Sequence, residues 1–103
     1  MYQGYFINLA HSEKRRAALA RHLARVGAAD RYRRFEAVNG RAVLAQFSTT
    51  LDPGALGLWL THIELARAVQ KSKRHVHVIE DDTILAKKAV PFFDLSWAMP
   101  TRR

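Results

Sequence analysis

The chain contains no cysteine. That excludes disulfide staples and any metal site built on thiolates, and it suits a reducing compartment. No apolar stretch approaches the ~20 residues that a membrane-spanning helix needs. A secretory leader pattern is missing too: in MYQGYFINLAHSEKRR the basic cluster follows the apolar run, the reverse of a signal peptide. These absences point to a soluble cytoplasmic protein, with a peripheral place on the inner membrane face left open. Low-complexity tracts and internal repeats are absent. Acidic residues are scarce, 9 against 17 lysines and arginines, and the net charge of +8 attracts polyanions: nucleic acid, acidic membrane surfaces or phosphorylated small molecules. Charge alone does not choose among them, and a merely solvated, arginine-rich surface has the same composition. With 103 residues the chain can bury one core, and a hydrophobic fraction of 49% excludes disorder as the default.

What is present alternates between strand and helix patterns. Gly4 to Leu9, GYFINL, is a short apolar and aromatic run that predicts a buried strand. Ser12 is placed to cap a helix that begins at Glu13, an acid suited to the positive helix end. EKRRAALARHLARV then sets Ala17, Leu19, Ala20, Leu23 and Val26 mainly on one face, and Gly27 supplies a stop. Tyr32 to Val38 predicts a second strand, ending in the turn pair Asn39-Gly40. Residues 41–51 carry no clear period. Asp52-Pro53 is a helix-start signal, and Leu56, Leu60, Ile63 and Val69 are spaced for a buried stripe. HVHVIE, residues 75–80, predicts a third strand. The last segment contains two prolines and ends on Arg102-Arg103.

Such alternation predicts an α/β fold with a mostly parallel sheet flanked by helices. Ligands of these sheets bind outside the carboxyl ends of the strands. Asn8 with the loop to Arg15-Arg16, Val38-Asn39-Gly40, and Glu80-Asp81-Asp82 all fall there. On an extended chain residues two apart point the same way, so Glu80 and Asp82 are expected to aim at one point and Asp81 at the other face. Two carboxylates at a strand end suit a hard cation such as Mg²⁺ or Mn²⁺, with phosphate and water completing its shell. The plain alternative is a polar strand exit.

Four blocks carry a family resemblance. YFINLAHSEKRRAALARHL resembles the opening of glycosyltransferase family 25, the lipooligosaccharide galactosyltransferases and their collagen-modifying relatives, with its INL strand, serine and paired arginines. RFEAVNGR is similar to that family's A-V-D/N-G block. LDPGALGLWLTHIELARAV is similar to its L-x-x-G-x-x-G-x-x-x-S-H helix, with Thr61 where serine is usual. HVIEDDTIL resembles its V-L-E-D-D-V strand exit. The blocks run in the right order across residues 5–85.

The resemblance implies a GT-A-like nucleotide-binding half, a UDP-sugar donor (UDP-galactose being commonest), a glycan or lipooligosaccharide acceptor and a Mn²⁺ or Mg²⁺ cofactor. Carried over by position, Glu80 and Asp82 would bind metal and donor. Asn8, Arg15, Arg16, Asn39 and Gly40 would lie near the donor, and Gly57 and His62 match the helix motif. The family's catalytic domain is about twice as long. Residues 1–103 are therefore expected to form a single, truncated donor-binding domain, inactive alone for want of an acceptor site and a base. Phe92, Phe93, Leu95, Trp97 and Met99 would then form a surface awaiting a second polypeptide or self-association.

Each residue also has a plainer reading. Arg15 and Arg16 can be solvated and His62 a core histidine. His75 and His77, alternating on one strand face, allow a metal pair, with strand-face packing or exposure as the plainer reading. Gly54 and Gly57 can simply allow close approach of helix and sheet, and Trp59 can be core. Two other functions compete: a small basic nucleic-acid-binding module, without a recognised reader motif, and an inert scaffold that kept the fold.

Overall fold

The computed structural model describes residues 1–98, with side chains described through Ser96. Its elements are β1 (Gln3–Asn8), α1 (Glu13–Arg25), β2 (Tyr32–Glu36), α2 (Gly40–Val43) with a 3₁₀ turn at Leu44–Gln46, α3 (Pro53–Val69), β3 (Val76–Glu80) and α4 (Ala89–Ala98). The three strands form one parallel sheet in the order β2-β1-β3. Gly4 stands opposite Tyr32 on one side and His77 on the other; Ile7 stands opposite Phe35 and Glu80. The α/β fold read from the alternation is therefore present, with every strand pair parallel.

Local chemistry explains the helix limits. Asp52 caps α3 by accepting the Ala55 N–H at 2.9 Å, and Pro53 takes the first helical position, where no intrahelical N–H is needed. Gly27, at φ +71, ends α1 with two backward bonds, Gly27 N–H to the Ala24 carbonyl and Ala28 N–H to that of Leu23. That pair closes the carbonyls a helix end leaves open. Ser12 holds the cap position of α1, but its side chain makes no capping bond.

Strand alternation divides the interior. Phe6 and Ile79 face α1 and build the main core with Leu19, Leu23, Ala28, Tyr2 and Tyr32. Ile7 faces the other way, toward the α3 side. Right-handed crossovers place α1 and α3 on opposite faces of such a sheet, and no α3 residue joins the α1-side core. Within α3 the buried residues are Leu56, Gly57, Thr61 and Leu65. The expected stripe thus keeps Leu56, while Leu60, Ile63 and Val69 are only half-buried. Trp59, read as core, is 62% exposed.

The sheet's amino end is closed by a polar chain. The Tyr2 and Tyr32 hydroxyls share a hydrogen bond of 2.8 Å, and the Tyr32 hydroxyl meets His77 Nδ1 at 2.8 Å. Burial raises the pKa of both tyrosines and lowers that of His77. Helix α4 docks here through Val90, Phe93 and Asp94, whose carboxylate pairs with Arg31 at 2.6 Å and accepts the Tyr2 N–H. Its Phe92 and Leu95 remain exposed; the Trp97 side chain, Met99 and Arg102-Arg103 lie outside the described residues. No described helix is long and apolar enough to cross a membrane.

Candidate functional site

The chain leaves β1 for β2 on one side, then crosses to β3 on the other. The carboxyl ends of β1 and β3 therefore bound a topological switch point, where a crevice opens in sheets of this kind. A cleft of about 510 Å³ lies there, within the range of small-molecule sites. Ser12 and Arg15 at the start of α1 form one edge, and Val38, Asn39, Gly40 and Arg41 after β2 form another. Gly57, Leu58 and Thr61 of α3 line a third side, and Glu80 and Asp81 close the β3 end.

Asn8, buried at the last position of β1, organises the β3 end. Its Nδ2 donates to Asp81 Oδ2 at 2.9 Å and to the Ser12 carbonyl at 3.1 Å. Its Oδ1 accepts from Arg34 Nε at 3.0 Å, and its own carbonyl accepts from Arg34 Nη2 and from the Ala37 N–H. One side chain thus ties β2, the α1 entry and the β3 exit together. Asn8 does not line the cleft; it stands behind it and aims Asp81.

The β2 exit is held by α3. The fully buried Thr61 hydroxyl accepts the Val38 N–H at 2.8 Å and donates to the Gly57 carbonyl at 2.6 Å. Val38-Asn39-Gly40 then runs directly over the helix. A Cβ on Gly40 would collide with the Pro53 carbonyl, and one on Gly57 would lie 2.6 Å from the Val38 carbonyl. Close backbone approach is why both positions are glycine. Asn39 spends its side-chain oxygen on capping α2, accepting from the Arg41 and Ala42 N–H groups.

Of the residues singled out in the sequence, Arg15, Asn39, Gly40, Gly57 and Glu80 line the cleft, while Asn8, Arg16, Asp82 and His62 do not. Arg16 reaches back to the Ala10 carbonyl at 3.4 Å, and His62 is exposed, against its reading as a core histidine. The expected pairing of Glu80 with Asp82 rested on alternation that the turn interrupts. The strand ends at Glu80, residues 81–82 turn, and the Thr83 N–H bonds back to the Glu80 carbonyl, so two-residue alternation stops before Asp82. Asp81 enters the cleft instead. Sequence reasoning assigned Asp81 to the other face, named Thr61 only as a motif position, and missed Arg34 and Arg41. His77 packs on the strand face among Tyr2, Tyr32 and Phe93, and His75 is exposed.

The cleft is chemically two-sided. Its cations come from two edges, Arg15 at the start of α1 and Arg41 after β2; the first N–H groups of α1 have no intrahelical acceptor, and the helix dipole there favours anions. Its carboxylates, Glu80 and Asp81, stand at the β3 end. Among the described residues no group of three or more His, Asp or Glu side chains is gathered for a metal. Two carboxylates suit a hard cation that draws its remaining oxygens from phosphate and water. Oxygen donors of this kind are chemically compatible with Mg²⁺ or Mn²⁺, and they do not form an all-protein cage.

Comparison with protein-family models finds no match, and no curated protein matches the chain.

Proposed function

We propose that the chain binds a nucleoside diphosphate sugar, UDP-sugar by resemblance, together with Mn²⁺ or Mg²⁺. It would serve as the GT-A-like donor half of a family 25-type glycosyltransferase that passes a sugar, galactose by resemblance, to a glycan or lipooligosaccharide acceptor. The observation that carries this reading is convergence. Four sequence blocks spread over residues 5–85 meet at one cleft: Ser12 and Arg15 from the first, Val38 to Arg41 from the second, Gly57 and Thr61 from the third, and Glu80-Asp81 from the fourth.

In this reading the α1 N-terminus, Arg15 and Arg41 receive the diphosphate, because N–H groups and guanidinium forks match phosphate oxygens. Glu80 and Asp81 would hold the cation, which neutralises charge building on the leaving diphosphate. Asn8 fixes the Asp81 carboxylate, and Thr61 fixes the loop opposite, so the site is preorganised before ligand arrives.

Titration calorimetry with UDP, with and without Mn²⁺, tests the proposal. The expected result is binding that depends on the metal and is lost in the Glu80→Ala, Asp81→Ala double variant. Equal UDP affinity in wild type and double variant would sink it, and steep salt-dependent binding to DNA without UDP binding would favour the nucleic-acid alternative.

A further inference from the structure

Asp81 is held unequally at its two oxygens. Oδ2 is built into the fold: Asn8 Nδ2 donates to it at 2.9 Å, and Asn8 is itself clamped by two bonds from Arg34. Oδ1 meets Arg15 Nη1 at 3.4 Å. The Asp81 side chain is 10% exposed, whereas that of Arg15 is 65% exposed. A carboxylate this buried needs a positive partner, and here the partner is a long contact from a solvated side chain. The anion is fixed and its cation is replaceable.

Arg15 also belongs to the first turn of α1, at a cleft edge where the helix dipole favours an anion. A guanidinium exchanges a single long contact to a carboxylate for paired bonds to phosphate when phosphate is offered. The same side chain therefore stands between two adjoining parts of one cleft, the Asp81 carboxylate and the start of α1.

Resting on the donor-site reading above, we propose that Arg15 is a gate on Asp81. In the empty cleft its guanidinium occupies the carboxylate and opposes a divalent cation. A diphosphate arriving at the α1 N-terminus draws the guanidinium away and frees Oδ1. Cation and nucleotide then bind cooperatively, because the nucleotide frees Asp81 for the cation and the cation frees Arg15 for the nucleotide. By linkage each must strengthen the other by the same factor. The consequence for the molecule is mutual dependence: metal alone and nucleotide alone each bind weakly, and together they bind tightly.

The test is Mn²⁺ binding followed by the electron paramagnetic resonance of free Mn²⁺, first with the metal alone and then with UDP. Variants are Arg15→Gln, Asp81→Asn and Lys14→Gln, the last removing a neighbouring charge on the same exposed helical turn. Arg15→Gln is expected to bind Mn²⁺ alone several-fold more tightly than wild type, and to lose most of the strengthening that UDP brings. Lys14→Gln is expected to match wild type, and Asp81→Asn to lose the metal. Unchanged or weaker Mn²⁺ binding in Arg15→Gln overturns the gate, as does an equal gain in Lys14→Gln, which would reduce the effect to net charge. Mn²⁺ and UDP binding with no effect of Arg15→Gln leaves the donor reading standing and removes the gate. Tighter Mn²⁺ binding in Arg15→Gln without UDP binding in any variant upholds the Arg15–Asp81 competition and removes the donor reading.

Discussion

Thr61→Val separates the hydroxyl from the shape. The two side chains are nearly isosteric, so packing at this fully buried position is retained while two hydrogen bonds are lost. The Gly57 carbonyl keeps its place in the helical ladder and loses only a second donor. The Val38 N–H loses its acceptor at 2.8 Å, in a spot covered by α3. An unsatisfied donor of this kind costs about 1–3 kcal/mol. For a domain of this size each kcal/mol moves the melting temperature by roughly 4–8 °C. Thr61→Ser keeps the hydroxyl and removes one methyl, at a cost of about 0.5–1.5 kcal/mol. Urea unfolding at fixed m-value, with thermal melts alongside, should therefore rank wild type above Ser and Ser above Val. UDP–Mn²⁺ affinity should fall in the Val variant as Val38-Asn39-Gly40 loosens. If Thr61→Val proves as stable as wild type, the threonine does not hold the loop through its hydroxyl.

Asn8→Ala removes the acceptor of Arg34 and the donor to Asp81, and should cost about 1–3 kcal/mol in urea unfolding, since two half-buried polar partners are left with less. Gly57→Ala drives a methyl against the Val38 carbonyl and should cost about 1–3 kcal/mol by overpacking, read in the same assay. Burial lowers the pKa of His77, so between that value and the ordinary 6.5 the unfolded chain binds the extra proton; stability should fall as the pH drops from about 6.5 through the folded-state value. His77→Gln should flatten that slope in unfolding measured from pH 7 to 5.

The sheet and its two long helices were legible because their signals are local. Asp52-Pro53 and Gly27 act on neighbouring backbone groups, and they act as the sequence says. Helix α4 was not legible: Pro91 reads as a breaker, yet it sits in the first turn, where its missing N–H costs nothing. The α3 stripe shifted because its buried side is set by backbone contact at Gly57 and Thr61, not by hydrophobicity, which left Trp59 and His62 outside. Periodicity brought the acids to the right edge of the sheet, but the choice between Asp81 and Asp82 depended on where the strand stops. That stop comes from the Thr83 backbone bond and from the Thr83 hydroxyl, which accepts the Glu80 N–H at 3.2 Å.

The central claim, a metal-assisted diphosphate site at the β1–β3 switch point, is tested most directly by paramagnetic broadening of amide signals. Mn²⁺ added with UDP should erase the signals of Ser12, Asn39, Gly40, Glu80 and Asp81 first, and leave those of Tyr2, Tyr32 and His77 at the opposite end of the sheet intact. Uniform broadening, or broadening centred on His75 and His77 with the cleft signals preserved, would contradict it.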